Sequence, residues 1–191
     1  MQTPADAISI RPIKSRDVRA LLVFYESFSE ADARFFTPWP FTEEAMAGHV
    51  ADAEAGNAIS LIAVDEDGRV LGHAFIQHLQ AGKPTGASGQ GRVLLWSCRA
   101  LGLVRRLLGR SPRPRLGIGL HASARGTGLG RDLLERLLGE ARRMRLPRIT
   151  LGVHKANKSA VALYEKMGFR IVRELSQQNR NDSYEMELDL R

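Results

Sequence analysis

Cysteine occurs once in the 191 residues, as Cys98, so no disulfide can form within the chain, and its apolar neighbours suit packing better than nucleophilic chemistry. No apolar run approaches the ~20 residues that a membrane-spanning helix requires. The first residues, Met1-Gln2-Thr3-Pro4-Ala5-Asp6, lack the basic stretch followed by an apolar one that marks a secretory signal, so a cytoplasmic location is expected. Acidic residues are missing from residues 92–115, which carry Arg92, Arg99, Arg105, Arg106, Arg110, Arg113 and Arg115. Those seven account for the whole formal excess of +7. The basic character is therefore local, and a nucleic-acid surface running over the chain is not implied.

What is present fits a soluble globular fold. A hydrophobic content of 43% over this length suits one domain, residues 1–191, with a single sizeable core. The richest stretch is Arg125-Gly126-Thr127-Gly128-Leu129-Gly130. Before it, Leu116-Gly117-Ile118-Gly119-Leu120 alternates large apolar residues with glycine and reads as a strand. After it, Leu133, Leu134, Leu137, Leu138, Ala141 and Met144 recur at helical spacing. A strand that turns through three glycines into a helix offers unobstructed backbone N–H groups at the positive end of the helix dipole, which is an anion site suited to phosphate.

The residues after Gly130 exclude one nucleotide motif and weaken another. A P-loop needs Gly-Lys-Ser/Thr at the helix start, whereas Gly130 precedes Arg131 and Asp132. A dinucleotide fingerprint wants glycine or alanine at position 131, where Arg131 stands, and no acidic residue clearly ends a following strand. A plain strand-to-helix turn remains the bland alternative.

A second block lies downstream. Residues 147–153 read as a strand, followed by His154-Lys155-Ala156-Asn157, a helix carrying Ala160, Val161, Leu163 and Tyr164, and then Lys166-Met167-Gly168-Phe169. Together the two blocks resemble the GCN5-related N-acetyltransferase (GNAT) superfamily. Its Arg/Gln-x-x-Gly-x-Gly/Ala turn is matched by Arg125, Gly128 and Gly130, and its Asn, Tyr and Gly-Phe signature by Asn157, Tyr164, Gly168 and Phe169.

The rest of the chain reads in the same order as that fold. Residues 8–13 form a strand, Ser15 is placed to cap a helix with Val18, Leu21, Leu22, Tyr25 and Phe28, and Thr42 to cap a second through Met46 and Val50. Residues 59–64 and 70–79 are strands joined by Asp65-Glu66-Asp67-Gly68, and two more lie near 169–174 and 183–190. The resemblance thus implies one mixed α/β (α+β) domain with a central, mostly antiparallel sheet, splayed parallel strands 4 and 5, and helices on both faces. The chain departs from the pattern at residues 81–115, a basic insertion between strands 3 and 4.

The resemblance also implies roles. Acetyl-coenzyme A would lie along strand 4 near Leu120 and Ala122, with its pyrophosphate on Arg125, Gly126, Thr127, Gly128, Leu129 and Gly130 and with Asn157 beside it. Tyr164 would give a proton to the departing thiolate, or else simply pack between helix and sheet. The carboxylate that many relatives carry on strand 4 is missing; His121 is the titratable side chain there and a candidate base, with Glu26, Glu30 and Asp32 as alternatives. Phe35, Phe36, Trp39 and Phe41 either clasp an acceptor or anchor their loop. The implied activity is acetyl transfer to a primary amine of a small molecule or protein, no metal being required, with a homodimer left open. The rival is a weakly catalytic or non-catalytic acyl-CoA-binding module that docks on anionic membrane or nucleic acid through the arginine-rich insertion.

Overall fold

The computed structural model describes residues 8–30, 32, 40–77, 113–175 and 182–191. In chain order they form β1 (Ser9–Pro12), α1 (Val18–Glu26), α2 (Glu43–Glu54), β2 (Ile59–Val64), β3 (Val70–Gln77) and β4 (Arg115–Leu120). Next come α3 (Leu129–Arg143), β5 (Arg148–His154), α4 (Lys158–Lys166), β6 (Arg170–Leu175) and β7 (Ser183–Asp189). This is the expected order. Cys98, Phe35, Phe36, Trp39 and the insertion as far as residue 112 lie outside the described residues, and so do the roles expected of them.

The strands make one sheet in the order β1-β2-β3-β4-β5-β7-β6, antiparallel at every step except between β4 and β5. Opposed residues of an antiparallel ladder share a face. Ser60 with Phe75 and Ile62 with His73 look one way; Leu61 with Ala74 and Ile59 with Ile76 look the other. β4 continues the alternation, placing Gly117 and Gly119 beside Phe75 and His73, and Leu116 and Ile118 beside Ile76 and Ala74. Every residue of β2 is buried, which is why that strand reads as an almost unbroken apolar run.

Helices cover both faces. The apolar stripe of α3, Leu133, Leu134, Leu137, Leu138 and Ala141, packs with Leu61, Ala74 and Ile149, and Tyr164 of α4 joins the same core. Each buried leucine there contributes roughly 1.5–3 kcal/mol. On the opposite face Leu21, Phe24 and Tyr25 of α1 and Met46 and Val50 of α2 pack on Ile62 and Val64.

Two local expectations are corrected. Ser15 does not cap α1: it lies inside a 3-10 turn, Ser15–Asp17, with its Oγ donating to Glu54 Oε2 at 2.5 Å. The neighbouring carboxylate of Asp17 organises the turn instead, accepting two bonds from the Arg11 guanidinium at 2.7 and 2.8 Å and the Lys14 N–H at 2.8 Å. Charge-assisted bonds of this kind outcompete a neutral hydroxyl. Met144, the last residue of the expected α3 stripe, is 47% exposed, because the helix ends there and Arg145 turns left-handed at φ 54°. Thr42 does cap α2, accepting the Ala45 N–H at 3.3 Å.

Gly117 matters for what it lacks. A Cβ built on it would stand 2.3 Å from the ring of Phe75, which is buried at 2% exposure. Gly117→Val is therefore expected to destabilise the fold by about 1–3 kcal/mol through overpacking. In a Phe75→Leu background the loss should shrink, and denaturant titration of the double-mutant cycle measures that coupling.

Candidate active site

β4 and β5 share a single register pair, Arg115 with Thr150. The apex is pinned by Pro114, whose carbonyl accepts the Thr150 N–H at 2.9 Å and the Thr150 hydroxyl at 3.2 Å. Beyond it the strands part, β4 remaining on β3 and β5 on β7. The splay anticipated from sequence is thus present as a wedge with two facing backbone edges.

At the open end of β4 the chain passes through the 3-10 turn Ala122–Ala124 into the glycine turn. Gly126 and Gly128 hold φ 78° and 97°, a left-handed region open to glycine at little cost, and a Cβ on either would meet nothing within 4 Å. The N–H groups of Gly126, Thr127, Gly128 and Gly130 take no hydrogen bond within the described residues. Four backbone donors thus cluster at the N-terminus of α3, the dipole's positive end. Leu129 is buried and helps seat the helix, while Ala122 is exposed and Leu120 half-buried at the end of β4.

Arg125 is turned toward the segment after α1. Its guanidinium pairs with Asp32 at 2.9 Å and donates to the Leu120 carbonyl at 3.3 Å, and it holds the Asp32 carboxyl below its usual range. Asp32 and Arg125 were separate candidates in the sequence; the fold joins them.

Asn157 caps α4, its Oδ1 accepting the Ala160 N–H at 3.2 Å and the Ser159 hydroxyl at 3.1 Å. Tyr164 is 6% exposed and packs edge-on to Phe169, with ring centroids 5.7 Å apart. Its hydroxyl makes no hydrogen bond among the described residues. Burial of the ring raises its pKa, keeping the phenol protonated.

His121 is enmeshed. An Arg69 Nη donates to its Nε2 at 2.9 Å, and its Nδ1 lies 2.8 Å from the Ser123 hydroxyl. Partial burial, with Arg69 and Arg125 nearby, lowers its pKa and favours the neutral ring. Phe41 stacks on Tyr25 at 5.1 Å, anchoring the end of its loop.

A buried polar chain on the α1/α2 face has no counterpart in the sequence reading. The Tyr25 hydroxyl lies 2.6 Å from His73 Nδ1, His73 Nε2 2.8 Å from Ser60 Oγ, and Ser60 Oγ 2.9 Å from His49 Nε2. The four residues come from α1, β3, β2 and α2 and are at most 5% exposed. Desolvation pushes the His49 pKa down to about 4 and that of His73 well below the ordinary value, with His49 adding to the latter. Apolar neighbours at strand and helix spacing conceal such residues; only the antiparallel register reveals them.

A family model described as "Acetyltransferase (GNAT) family" matches residues 21–169. The chain is 40% identical over 57 residues to a 5-NmdU N-acetyltransferase of Pseudomonas phage PaMx11, the match covering 30% of this chain and 39% of that protein. It is 34% identical over 58 residues, 30% of this chain and 34% of the other, to an L-methionine sulfoximine/L-methionine sulfone acetyltransferase of Salmonella typhimurium. The matched segments therefore span well under half the length of these relatives. In structure it is similar to a GNAT superfamily phosphinothricin acetyltransferase from Sinorhizobium meliloti in complex with AcCoA, with TM-score 0.67 and 19% identity over 95% of this chain and 88% of that one. At that identity the likeness concerns the fold.

The buried histidines make stability depend on pH with a definite sign. Both are neutral in the fold, whereas in the unfolded chain each titrates near its ordinary value, so the unfolded state binds more protons as the medium acidifies. Stability is fully present above pH ~6.5 and lost as pH falls toward about 4, at up to ~1.4 kcal/mol per pH unit for each histidine. Urea titrations between pH 7.5 and 4.5 should show this, and replacing His49 by Gln should flatten the slope.

Proposed function

Because the chain belongs to the acetyltransferase (GNAT) family, we propose that it is an acetyl-coenzyme A-dependent N-acetyltransferase acting on a primary amine. The observation that carries the reading is the β4/β5 wedge opening beside four free backbone donors. Acetyl-coenzyme A supplies an acyl group, activated as a thioester, that an amine can attack. The residues present fit it: a glycine cradle with left-handed backbone leads into a helix N-terminus, and the edge of β4 beyond Arg115 offers unladdered peptide groups. Gly126, Thr127, Gly128, Leu129 and Gly130 would hold the diphosphate, helped by Arg125, while Leu120 and Ala122 would line the arm and the amide of Asn157 would face it.

The chain's own groups divide the proton work. Tyr164, kept protonated by burial, holds a proton that it can give to a departing thiolate at Oη. His121 is neutral and can receive a proton from an amine once the Arg69 guanidinium leaves Nε2, so Arg69 gates that atom. The activity named for the Salmonella protein, acetylation of a methionine analogue, supports a small-molecule acceptor.

Three measurements test this. Gly128→Val, forced out of its left-handed conformation, should weaken acetyl-coenzyme A binding at least tenfold by calorimetry; undiminished binding in a folded variant contradicts the reading. Tyr164→Phe should bind acetyl-coenzyme A as the parent does and lose ~10²–10⁴-fold in kcat where chemistry limits. His121→Gln should abolish the acidic limb of the kcat/KM pH profile; a profile identical to the parent's assigns the base elsewhere.

A further inference from the structure

On the α1/α2 side of the wedge, β4 presents Arg115, Gly117 and Gly119, since alternate residues of a strand share a face. The opposite side is filled by α3 and α4. Among the described residues the α1/α2 side is the less filled face of the wedge. The space above Gly117 is taken by the Phe75 ring, which leaves Arg115 as the charged side chain of this face of β4.

Arg115 begins at the apex of the wedge but does not stay there. A Cβ built on Gly152 would stand 2.9 Å from its Nη2, so the guanidinium lies across β5 two residues, or ~6.5 Å of strand, beyond the Arg115–Thr150 pair. It extends from the closed end toward the open end. Gly152 is exposed, and only a residue without a side chain leaves room for the cation in that position.

The neighbouring arginines are answered by carboxylates. Arg113 pairs with Glu187 at 2.9 Å, Arg148 with the same carboxylate at 3.2 Å, and Arg173 with Glu185 at 3.7 Å. Arg115 makes neither an ion pair nor a side-chain hydrogen bond among the described residues. Among the described residues its planar fork of donors is unpaired, two residues along β5 from the apex, and such a fork matches a carboxylate bidentately.

We infer that Arg115 selects acceptors that carry a carboxylate a few bonds from the reacting amine, so that the substrate class is an amino acid or a similarly built amino carboxylate. The inference rests on the acetyl-transfer reading of the wedge and adds the acceptor's chemistry to it. A fixed cation there draws in anions, repels polyamines and favours the neutral form of a nearby amine.

The test uses matched pairs, L-phenylalanine against phenethylamine and L-alanine against ethylamine, with thiol release from acetyl-coenzyme A as the readout. The parent protein is expected to prefer the carboxylate member of each pair. Arg115→Gln should collapse the KM ratio within pairs by about 10–100-fold, the worth of a charged hydrogen-bonded contact. Arg115→Lys should restore part of it, and Gly152→Ala, whose Cβ displaces the guanidinium, should move the ratio in the same direction as Arg115→Gln. Calorimetry with acetyl-coenzyme A accompanies each variant and reports that the fold and the cofactor site are intact. A ratio unchanged in Arg115→Gln, or a parent with no preference for the carboxylate members, including one that acetylates none of the four, overturns the inference while the cofactor titration still stands. A parent that fails to bind acetyl-coenzyme A removes the acetyl-transfer reading itself, and this inference with it.

Discussion

β4 and β5 start as neighbours in a parallel ladder and keep only the Arg115–Thr150 pair between them. Each strand is fully committed on its other side, β4 to β3 and β5 to β7, so neither can turn to satisfy the edge that faces the wedge. Buried backbone donors and acceptors demand partners. Beyond that pair the facing edges of β4 and β5 present peptide groups that are not laddered to each other. The glycine turn is placed by the same constraint, because β4 must leave the sheet at the open end, and the start of α3 brings its free N–H groups there.

The two faces of the wedge are treated unequally. On one, leucines from α3 and the Tyr164 ring from α4 form the larger core, fixing the helix that follows the glycine turn and the position of the phenol. On the other, α1 and α2 pack over β2 and β3 but the strands beyond are floored with Gly117, Gly119 and Gly152. Beside that floor runs the Tyr25, His73, Ser60 and His49 chain, a fully partnered polar network inside an apolar core. Such a network fixes one arrangement of four elements, because each partner lost would leave a buried polar atom unsatisfied. It holds α1 and α2 in register with β2 and β3, next to the approach to the wedge. Arg125 and Asp32 add a second tie, from the glycine turn to the segment after α1.

Much of this was legible in the residues themselves. The α3 stripe at helical spacing, the Thr42 cap, the Asp65-Glu66-Asp67-Gly68 hairpin and the glycine turn are local signals, and each arises from short-range sterics or periodicity. Where local rules competed, they misled: Ser15 lost its capping role to a carboxylate two residues on that had Arg11 of β1 as its partner, and Met144 fell at a helix end that periodicity alone does not locate. The sequence already put Asn157 at the start of α4 and Tyr164 on it, but the burial of the phenol depends on Phe169 and the core around it.

The sequence by itself determined the order of elements and the glycine turn, because those are written in spacing, glycine and alternation over a few residues. Only the tertiary structure decided which distant side chains meet. His73 finds Tyr25 and Ser60 through the β2/β3 register and α1 packing; Asp32 finds Arg125 across nearly a hundred residues; the Arg115 guanidinium finds room because Gly152, on another strand, has no Cβ. Strand pairing is non-local, and a one-residue shift would send Ser60, His73, Arg115 or Gly152 to the other face of the sheet. That is why the site's chemistry became readable only when the sheet was assembled.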